Sequence, residues 1–146
     1  MKIRKFVDSD FPSIINIYAE SKLDELEYES TKFELLPLNK DTVRLNKLRE
    51  SDIYVYDDNG VIGYGAIYQS EIRALFISSS RRKEGIGKTL LEHLLLQAKD
   101  PVVLYVAKSN RKAKALYEKY GFDVTEEFET TYNGKAVLAN KMTMSK

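Results

Sequence analysis

The sequence predicts an α/β protein in which one mixed sheet carries helices on both faces. In Glu71 to Leu95 an apolar run, EIRALFI, passes through a basic glycine turn into leucines at helical spacing. Two turn signals, Asp57-Asp58-Asn59-Gly60 and Asn133-Gly134, each lie between strand-like segments. The alternation of these patterns along the chain predicts the element order β-α-α-β-β-β-α-β-α-β-β.

The N-terminal segment is predicted to form a strand followed by a helix. Apolar and charged residues alternate over Met1 to Val7, which is typical of an edge strand. We expect a helix over Phe11 to Ser21, because Asp10 is a suitable N-cap and Pro12 is tolerated in a first turn. Its inner face is expected to contain Ile14, Ile15 and Tyr18.

The next elements are a second helix, over Asp41 to Glu50, and an antiparallel pair of strands. The strands are expected over Ser51 to Asp57 and Val61 to Tyr68. Gly63 and Gly65 inside the second strand indicate a bulge or close packing of its backbone.

The C-terminal half continues the alternation after the central strand. Branched residues predict a buried strand at Val102 to Ala107, and Gly121 is a suitable end for a helix. The predicted elements are helices at Gly85 to Lys99 and Asn110 to Tyr120, and strands at Val102 to Ala107, Phe122 to Tyr132 and Lys135 to Met144.

Composition favours a single domain over residues 1–146, with 43% hydrophobic and 31% charged residues. No apolar run approaches the roughly 20 residues that span a bilayer, and Met1 to Asp10 lacks the pattern of a signal peptide. The expected location is therefore the cytoplasm, with no membrane partner. A net charge of +1 gives no general attraction to nucleic acid. With no cysteine and one histidine, we expect no metal site.

The segment Glu20 to Glu34 is rich in acidic residues. Such a run is usually a solvated helix face. The alternative is an acidic rim that attracts a cationic amine. His93, a lone histidine on a predicted helix, is expected to be a surface residue or a satisfied structural residue rather than a catalyst.

The turn Arg82 to Lys88 is predicted to bind phosphate oxygens. Glycines let backbone N–H groups approach a ligand, and N–H groups in the first helical turn lie at the positive end of the helix dipole. A P-loop would require glycine where Arg82 stands, and a dinucleotide-binding fold would require glycine where Leu90 stands. The pattern that remains is R-x-x-G-x-G, and a glycine turn without a ligand stays an alternative.

A second block, Asn110 to Phe122, reads NRKAKALYEKYGF. The two blocks resemble the acetyl-CoA pyrophosphate motif and the closing motif, N-x-x-A-x-x-L-Y-E-K-x-G-F, of the GNAT N-acetyltransferases, and especially small bacterial members. The resemblance covers about Glu71 to Val124. It implies a GNAT fold, with a mostly antiparallel sheet of about seven strands.

The resemblance also implies acetyl-CoA as co-substrate. In this family the central strand contacts the thioester and pantetheine through its backbone, the glycine turn holds the pyrophosphate, and the second block contacts the pantetheine. The implied contact residues are Leu75, Phe76, Ile77, Arg82, Lys83, Glu84, Gly85, Ile86, Gly87, Lys88, Asn110 and Tyr117.

For catalysis, the resemblance implies Glu71 as general base toward the amine and Tyr117 as general acid toward the departing thiolate. An ordered water is the alternative base. Since the chain has no cysteine, a thiol acyl-enzyme is excluded and transfer is expected to be direct, in a ternary complex.

Two functions remain open at this point. The first is transfer of an acetyl group to a primary amine of a small molecule or protein, by a monomer or a homodimer. The second is an acyl-CoA-binding sensor or interaction module without turnover. The sequence leaves the acceptor unidentified, because the wall expected to bind it has no recognisable motif.

Overall fold

The computed structural model describes residues 2–146, so Met1, predicted in the first strand, lies outside the described residues. The predicted order of helices and strands is confirmed. The strands are β1 (Lys2–Lys5), β2 (Asp52–Asp57), β3 (Val61–Tyr68), β4 (Glu71–Ile77), β5 (Val102–Ala107), β6 (Asp123–Tyr132) and β7 (Lys135–Met144). The helices are α1 (Phe11–Ser21), α2 (Thr42–Glu50), α3 (Ile86–Gln97) and α4 (Arg111–Lys119).

All seven strands form one sheet in the order β1-β2-β3-β4-β5-β7-β6. Neighbouring strands are antiparallel except for β4 and β5, which are parallel. The predicted mixed, mostly antiparallel sheet is therefore confirmed. The parallel pair needs a crossover connection, and α3 supplies it.

Both faces of the sheet carry helices because alternate residues of a strand point to opposite faces. On β2, Ile53 and Val55 belong to a buried cluster with residues of α1 and α2. Tyr54, between them, belongs to a second cluster that includes Leu91 and Leu94 of α3. No helix within residues 2–146 is long and apolar enough to cross a membrane.

The two glycines of β3 allow α3 and β4 to approach its backbone. A Cβ atom at Gly63 would lie 2.8 Å from Ile77 Cδ1, and one at Gly65 would lie 2.7 Å from Leu94 Cδ1. The prediction of close packing at these positions is confirmed.

Several local predictions near the N-terminus were wrong. Strand β1 ends at Lys5 rather than Val7. The Asp10 side chain makes no cap hydrogen bond to α1 and instead accepts hydrogen bonds from Arg4 at 2.8 and 2.9 Å. The guanidinium satisfies a carboxylate that is only 6% exposed, which an N-cap bond alone would not. On α1, Ile17 is buried and Ile15 is only half-buried.

Candidate active site

The parallel strands β4 and β5 pair only where they begin. Glu71 is opposite Val103 and Ile72 is opposite Leu104, and no further pair joins the two strands among the described residues. Beyond this point, residues 74–77 of β4 remain paired with β3 but have an opening on their other side. The opening exposes strand edge, and unpaired backbone N–H and C=O groups along such an edge are available to an extended ligand.

A bulge lies where the two strands separate. Ala66 of β3 is opposite Ala74, while Ile67 is opposite Ile72, so Arg73 has no opposite residue on β3. A bulge bends a strand and increases its twist. This bulge accounts for the departure of β4 from β5.

Three predicted contact residues, Leu75, Phe76 and Ile77, lie on β4 beside the opening and have half-buried side chains. The predicted contacts of these residues with a ligand are made by their backbone groups. The structure places the backbone edge of β4 at these residues beside the opening, as the predicted contacts require.

The glycine turn leads directly into α3. Gly85 has φ +82° and precedes the first residue of the helix, and Lys83 has φ +69°. Two left-handed residues so close together curl the backbone, and they leave the first-turn N–H groups of α3 at the end of the turn.

The space around the turn differs between its two glycines. A Cβ atom at Gly85 would have no heavy atom within 4 Å, whereas one at Gly87 would lie 3.8 Å from Ile77 Cγ1. Ile86 is buried and thus has only its backbone available to a ligand. Open space beside Gly85 and unpaired N–H groups fit the pyrophosphate of a CoA molecule.

The charged side chains of the turn are largely engaged by protein partners. Arg82 donates to Asp24 Oδ2 at 2.6 Å and to Ser21 Oγ at 2.9 Å. Glu84 pairs with Arg81 at 3.0 Å. Lys83 and Lys88 are exposed.

The acidic segment 20–34 is not one helix face, so that expectation was wrong. Helix α1 ends at Ser21, and a short 3-10 turn, Leu23–Leu26, follows. Its acidic side chains bind neighbouring elements: Glu20 accepts from Ser79 N and Oγ at 3.0 and 2.6 Å, and Glu29 from Ser109 Oγ. The Ser79 hydroxyl is the main reason that the pKa of Glu20 is lowered.

A cavity of about 870 Å³ lies beside the N-terminal half of β4. Glu71 and Arg73 line it, and from the acidic segment Glu25 does so as well. Glu71 Oε1 accepts a hydrogen bond from Arg73 Nε at 3.1 Å, and the Glu71 side chain is 26% exposed. Glu71 is therefore accessible to a ligand in the cavity.

One wall of this cavity is made by the β6–β7 hairpin. Tyr132 Oη accepts a hydrogen bond from Leu36 N at 2.8 Å, which joins the hairpin to the segment before α2. Lys22 Nζ and Arg44 Cζ lie 5.2 and 5.0 Å from the centre of the Tyr132 ring. These are cation–π distances.

Tyr117 is on α4, where its ring packs edge-on against Phe122 with ring centres 5.8 Å apart. Burial raises the pKa of Tyr117, and the charge of Glu25 raises it further. The phenol is therefore in its protonated form at neutral pH. Tyr117 is not among the described residues that line the cavity, although Glu25 is.

Asn110 precedes the first residue of α4, and its Oδ1 accepts a hydrogen bond from Ala113 N at 3.3 Å. The residue is thus an N-cap. Its Nδ2 group is a donor, and contact between Asn110 and a ligand stays a prediction.

His93 packs edge-on against Tyr54, with ring centres 4.6 Å apart, and its Nε2 is buried without a hydrogen-bond partner. Its position between α3 and β2 agrees with the expected structural role. Within residues 2–146, no group of three His, Cys, Asp or Glu side chains is placed to hold a metal ion.

Two residues of the site, Arg73 and Tyr132, were not predicted from the sequence. A signal for Arg73 was present, because it is a charged residue within the otherwise apolar run after Glu71. Nothing in the sequence singled out Tyr132, whose neighbours are distant along the chain. Glu25 lies in the acidic segment for which an amine-attracting rim was the alternative, and it does line the cavity.

The site combines two features of one opened strand in a mixed sheet: a glycine turn that begins a helix and a separate cavity. The chain matches the acetyltransferase (GNAT) domain family over residues 49–124. It belongs to that family, as its two sequence blocks indicated.

Curated relatives are similar over part of their length. The chain is 35% identical over 83 residues to the peptidyl-lysine N-acetyltransferase YjaB of Salmonella typhimurium, which covers 57% of each protein. It is 33% identical over 88 residues to a mycothiol acetyltransferase of Corynebacterium glutamicum, covering 53% of this chain and 30% of that protein. The chain thus spans about half or less of these relatives.

Solved structures share the fold across the chain. A GCN5-related N-acetyltransferase from Rhodopseudomonas palustris superposes with a TM-score of 0.82 at 16% identity, covering 99% of this chain and 95% of that one. The apo form of YjaB from Escherichia coli superposes with a TM-score of 0.72 at 23% identity, and the match covers 97% of this chain and 95% of that one. Salmonella typhimurium yncA, determined with its cofactor acetyl-CoA, superposes with a TM-score of 0.74 at 19% identity, and the match covers 99% of this chain and 93% of that one.

Proposed function

We propose that this protein is an N-acetyltransferase that moves an acetyl group from acetyl-CoA to a primary amine, directly, in a ternary complex. The observation that carries the proposal is the opening between β4 and β5, which adjoins the glycine turn and the cavity containing Glu71. Two ligands bound at these places would meet at β4. The names of the relatives and of the acetyl-CoA-bound neighbour support the same activity.

The glycine turn and β4 are the proposed cofactor site. Backbone N–H groups from Gly85 to Lys88 would donate to the pyrophosphate, and Lys83 and Lys88 would add positive charge. The β4 edge from Leu75 to Ile77 would hydrogen-bond the pantetheine amides. Bound acetyl-CoA supplies the acetyl group on its thioester.

Glu71 is proposed to accept the proton that the amine must lose. An amine with a pKa of about 10.4 is neutral at pH 7 in roughly one molecule in 2,500, a cost of about 4.6 kcal/mol without assistance. A carboxylate in the cavity reduces this cost by accepting the proton directly or through water.

The other two roles concern the thioester. The backbone N–H of Leu75 is proposed to donate to the carbonyl oxygen as negative charge develops there. Tyr117 is proposed to give its proton to the departing sulfur, so that free CoA thiol leaves. The Tyr117 phenol is protonated at neutral pH, as a donor must be, but the burial that raises its pKa also makes it a weaker acid.

The acceptor is proposed to bind in the 870 Å³ cavity, which is within the usual size range of small-molecule sites. Aromatic side chains form part of its surface, including Tyr64, Phe76 and Tyr132. A small amine or a single amino-acid side chain would fit such a cavity. We propose the cytoplasm as the location, where the co-substrate is available.

A thiol-release assay tests the proposal. A thiol-reactive dye reports CoA alone, because the protein has no cysteine. Acetyl-CoA is incubated with lysine, a polyamine, an amino-terminal peptide and a lysine peptide, and we expect protein-dependent release with at least one amine. Thermal stabilisation by CoA without release across the panel would instead favour a binding module.

A further inference from the structure

We propose that Arg73 is a positioning residue for Glu71: its guanidinium, shared with Glu50, fixes the Glu71 carboxylate in the cavity. This inference rests on the proposed function, in which Glu71 is the base. The relatives and the family match do not assign a role to Arg73.

The contacts of Arg73 hold its guanidinium in one place. Nε donates to Glu71 Oε1 at 3.1 Å, and Nη1 donates to Glu50 Oε1 at 2.5 Å and to the carbonyl oxygen of Lys47 at 3.1 Å. Its Cζ lies 4.3 Å from the centre of the Tyr68 ring. Held by these partners and with a side chain only 13% exposed, Arg73 is a fixed donor toward Glu71.

The backbone explains why the two side chains meet. Residues two apart on a strand point to the same face, so Glu71 and Arg73 both face the cavity. The bulge at Arg73 frees this residue from pairing with β3. Arg73 can therefore reach both the strand residue Glu71 and the end of α2.

The two carboxylates that share Arg73 differ in their surroundings. Glu71 is 26% exposed and lines the cavity, whereas Glu50 is 50% exposed and is not among the described cavity residues. Glu50 therefore competes for the guanidinium without reaching a ligand in the cavity. Removing Glu50 leaves the Arg73 charge to Glu71 alone, while removing Arg73 leaves Glu71 beside another carboxylate.

Other charged and titratable groups also surround Glu71. They come from α2 and its N-cap, from the segment after α1 and from neighbouring strands. These groups are Arg44, Lys47 and Glu50 of α2, Asp41 at its N-cap, Lys22 and Glu25 after α1, Tyr68 of β3 and Tyr105 of β5. Within residues 2–146, Arg73 is the charged side chain hydrogen-bonded directly to Glu71.

The test compares three variants with the wild type, each checked for folding by circular dichroism and assayed by thiol release with an amine that the wild type acetylates. Arg73→Gln removes the cation that holds Glu71, and we expect it to lower kcat by roughly 10-fold to 100-fold. Arg73→Lys keeps a cation and a donor near Glu71 and should recover part of this loss. Glu50→Gln should keep a kcat close to that of the wild type.

A kcat that falls in Arg73→Gln, partly recovers in Arg73→Lys and is kept in Glu50→Gln supports the proposal, because Glu50→Gln removes another contact of the same guanidinium without releasing Glu71. Wild-type kcat in folded Arg73→Gln would overturn it. If Arg73→Gln does not fold, Arg73→Lys decides: a partial loss of kcat is expected, and no loss would overturn the proposal.

Kinetics with the amine found by thiol release then separate this inference from the proposed function. We expect Arg73→Gln to lower kcat more than it raises the KM of the acceptor, and Arg73→Lys to recover part of kcat. A change confined to the acceptor KM would overturn the positioning role. Failure of wild-type protein to release thiol would count against the proposed function, whereas release by the wild type with an unchanged kcat in Arg73→Gln would count against the positioning role alone.

Discussion

Arg82, the first residue of the glycine turn, is held by Asp24 from the segment after α1, with Nη1 and Oδ2 2.6 Å apart. Ser21 and the carbonyl oxygen of Ile77 accept from the same guanidinium at 2.9 and 3.4 Å. Without a ligand, the cation expected to meet the pyrophosphate therefore already has an anionic partner. Phosphate binding has to compete with Asp24 for it.

We expect Asp24→Asn to tighten CoA binding. The pair is surface-exposed, with side chains 37% and 53% exposed, so it contributes at most about 1 kcal/mol and the gain should not exceed about fivefold. Calorimetry with CoA measures it. Asp58→Asn is the matched control, because Asp58 pairs with Arg81 instead. Weaker binding by Asp24→Asn would show that this pair organises the site rather than competing with the ligand.

Gly85→Val should weaken CoA binding tenfold or more, about 1.4 kcal/mol. A β-branched residue is strained at φ +82°, and its side chain would fill the open space proposed for the pyrophosphate. Gly134→Val is a matched control for strain, because Gly134 has φ +78° and a Cβ atom there would likewise have no heavy atom within 4 Å. Equal CoA affinity in folded Gly85→Val and wild type would exclude the turn as the pyrophosphate site.

Glu71→Gln and Tyr117→Phe should fail differently. Loss of the base should lower kcat by roughly 10² to 10⁴ at neutral pH, with partial recovery at high pH, where solvent deprotonates the amine. Loss of the phenol should lower kcat at every pH, and more modestly, since a thiolate whose acid has a pKa of about 8.5 is a tolerable leaving group. The measurement is the pH profile of kcat. Wild-type turnover with an unshifted profile in Glu71→Gln would favour an ordered water as the base.

Kinetic order is a further prediction. Direct transfer requires both substrates to be bound together, so double-reciprocal plots at several acetyl-CoA concentrations should intersect. Parallel lines would indicate a covalent acyl-enzyme on a residue other than cysteine, because the chain has none.

Folding stability should fall as pH rises above about 10. Burial raises the pKa values of Tyr18, Tyr64 and Tyr117, so these phenols keep their protons in the folded state while the unfolded chain loses them. The stabilisation is complete below the unfolded value of about 10 and declines by up to about 1.4 kcal/mol per group for each pH unit above it. Urea unfolding between pH 9 and 11 measures the decline.

Phenolate absorbance provides the control for this prediction. The chain has ten tyrosines, and three of them, Tyr18, Tyr64 and Tyr117, should ionise only on unfolding. Tyr18→Phe should reduce the dependence of stability on pH. Ionisation of all ten in protein that is still folded would contradict the prediction.

Sequence alone determined the elements whose cause is local. The hydrophobic pattern and the turn residues predicted β5 and β7 with the bounds that the structure shows. Asn133 and Gly134 also have the left-handed backbone dihedrals that these residue types favour in a hairpin turn. The motif blocks identified the family for the same reason, since each is a short run of consecutive positions. These features depend on residues within a few positions of one another.

Only the tertiary structure decided how side chains that are distant along the chain share their charges. Asp10 was expected to cap α1, but Arg4, brought alongside it, binds the carboxylate more completely than a cap could. The acidic run was expected to be solvated, yet Asp24 meets Arg82 and Glu20 meets Ser79. Each charged side chain pairs with the group that lies within hydrogen-bond distance in the folded protein, and that group cannot be identified from the composition of a sequence segment.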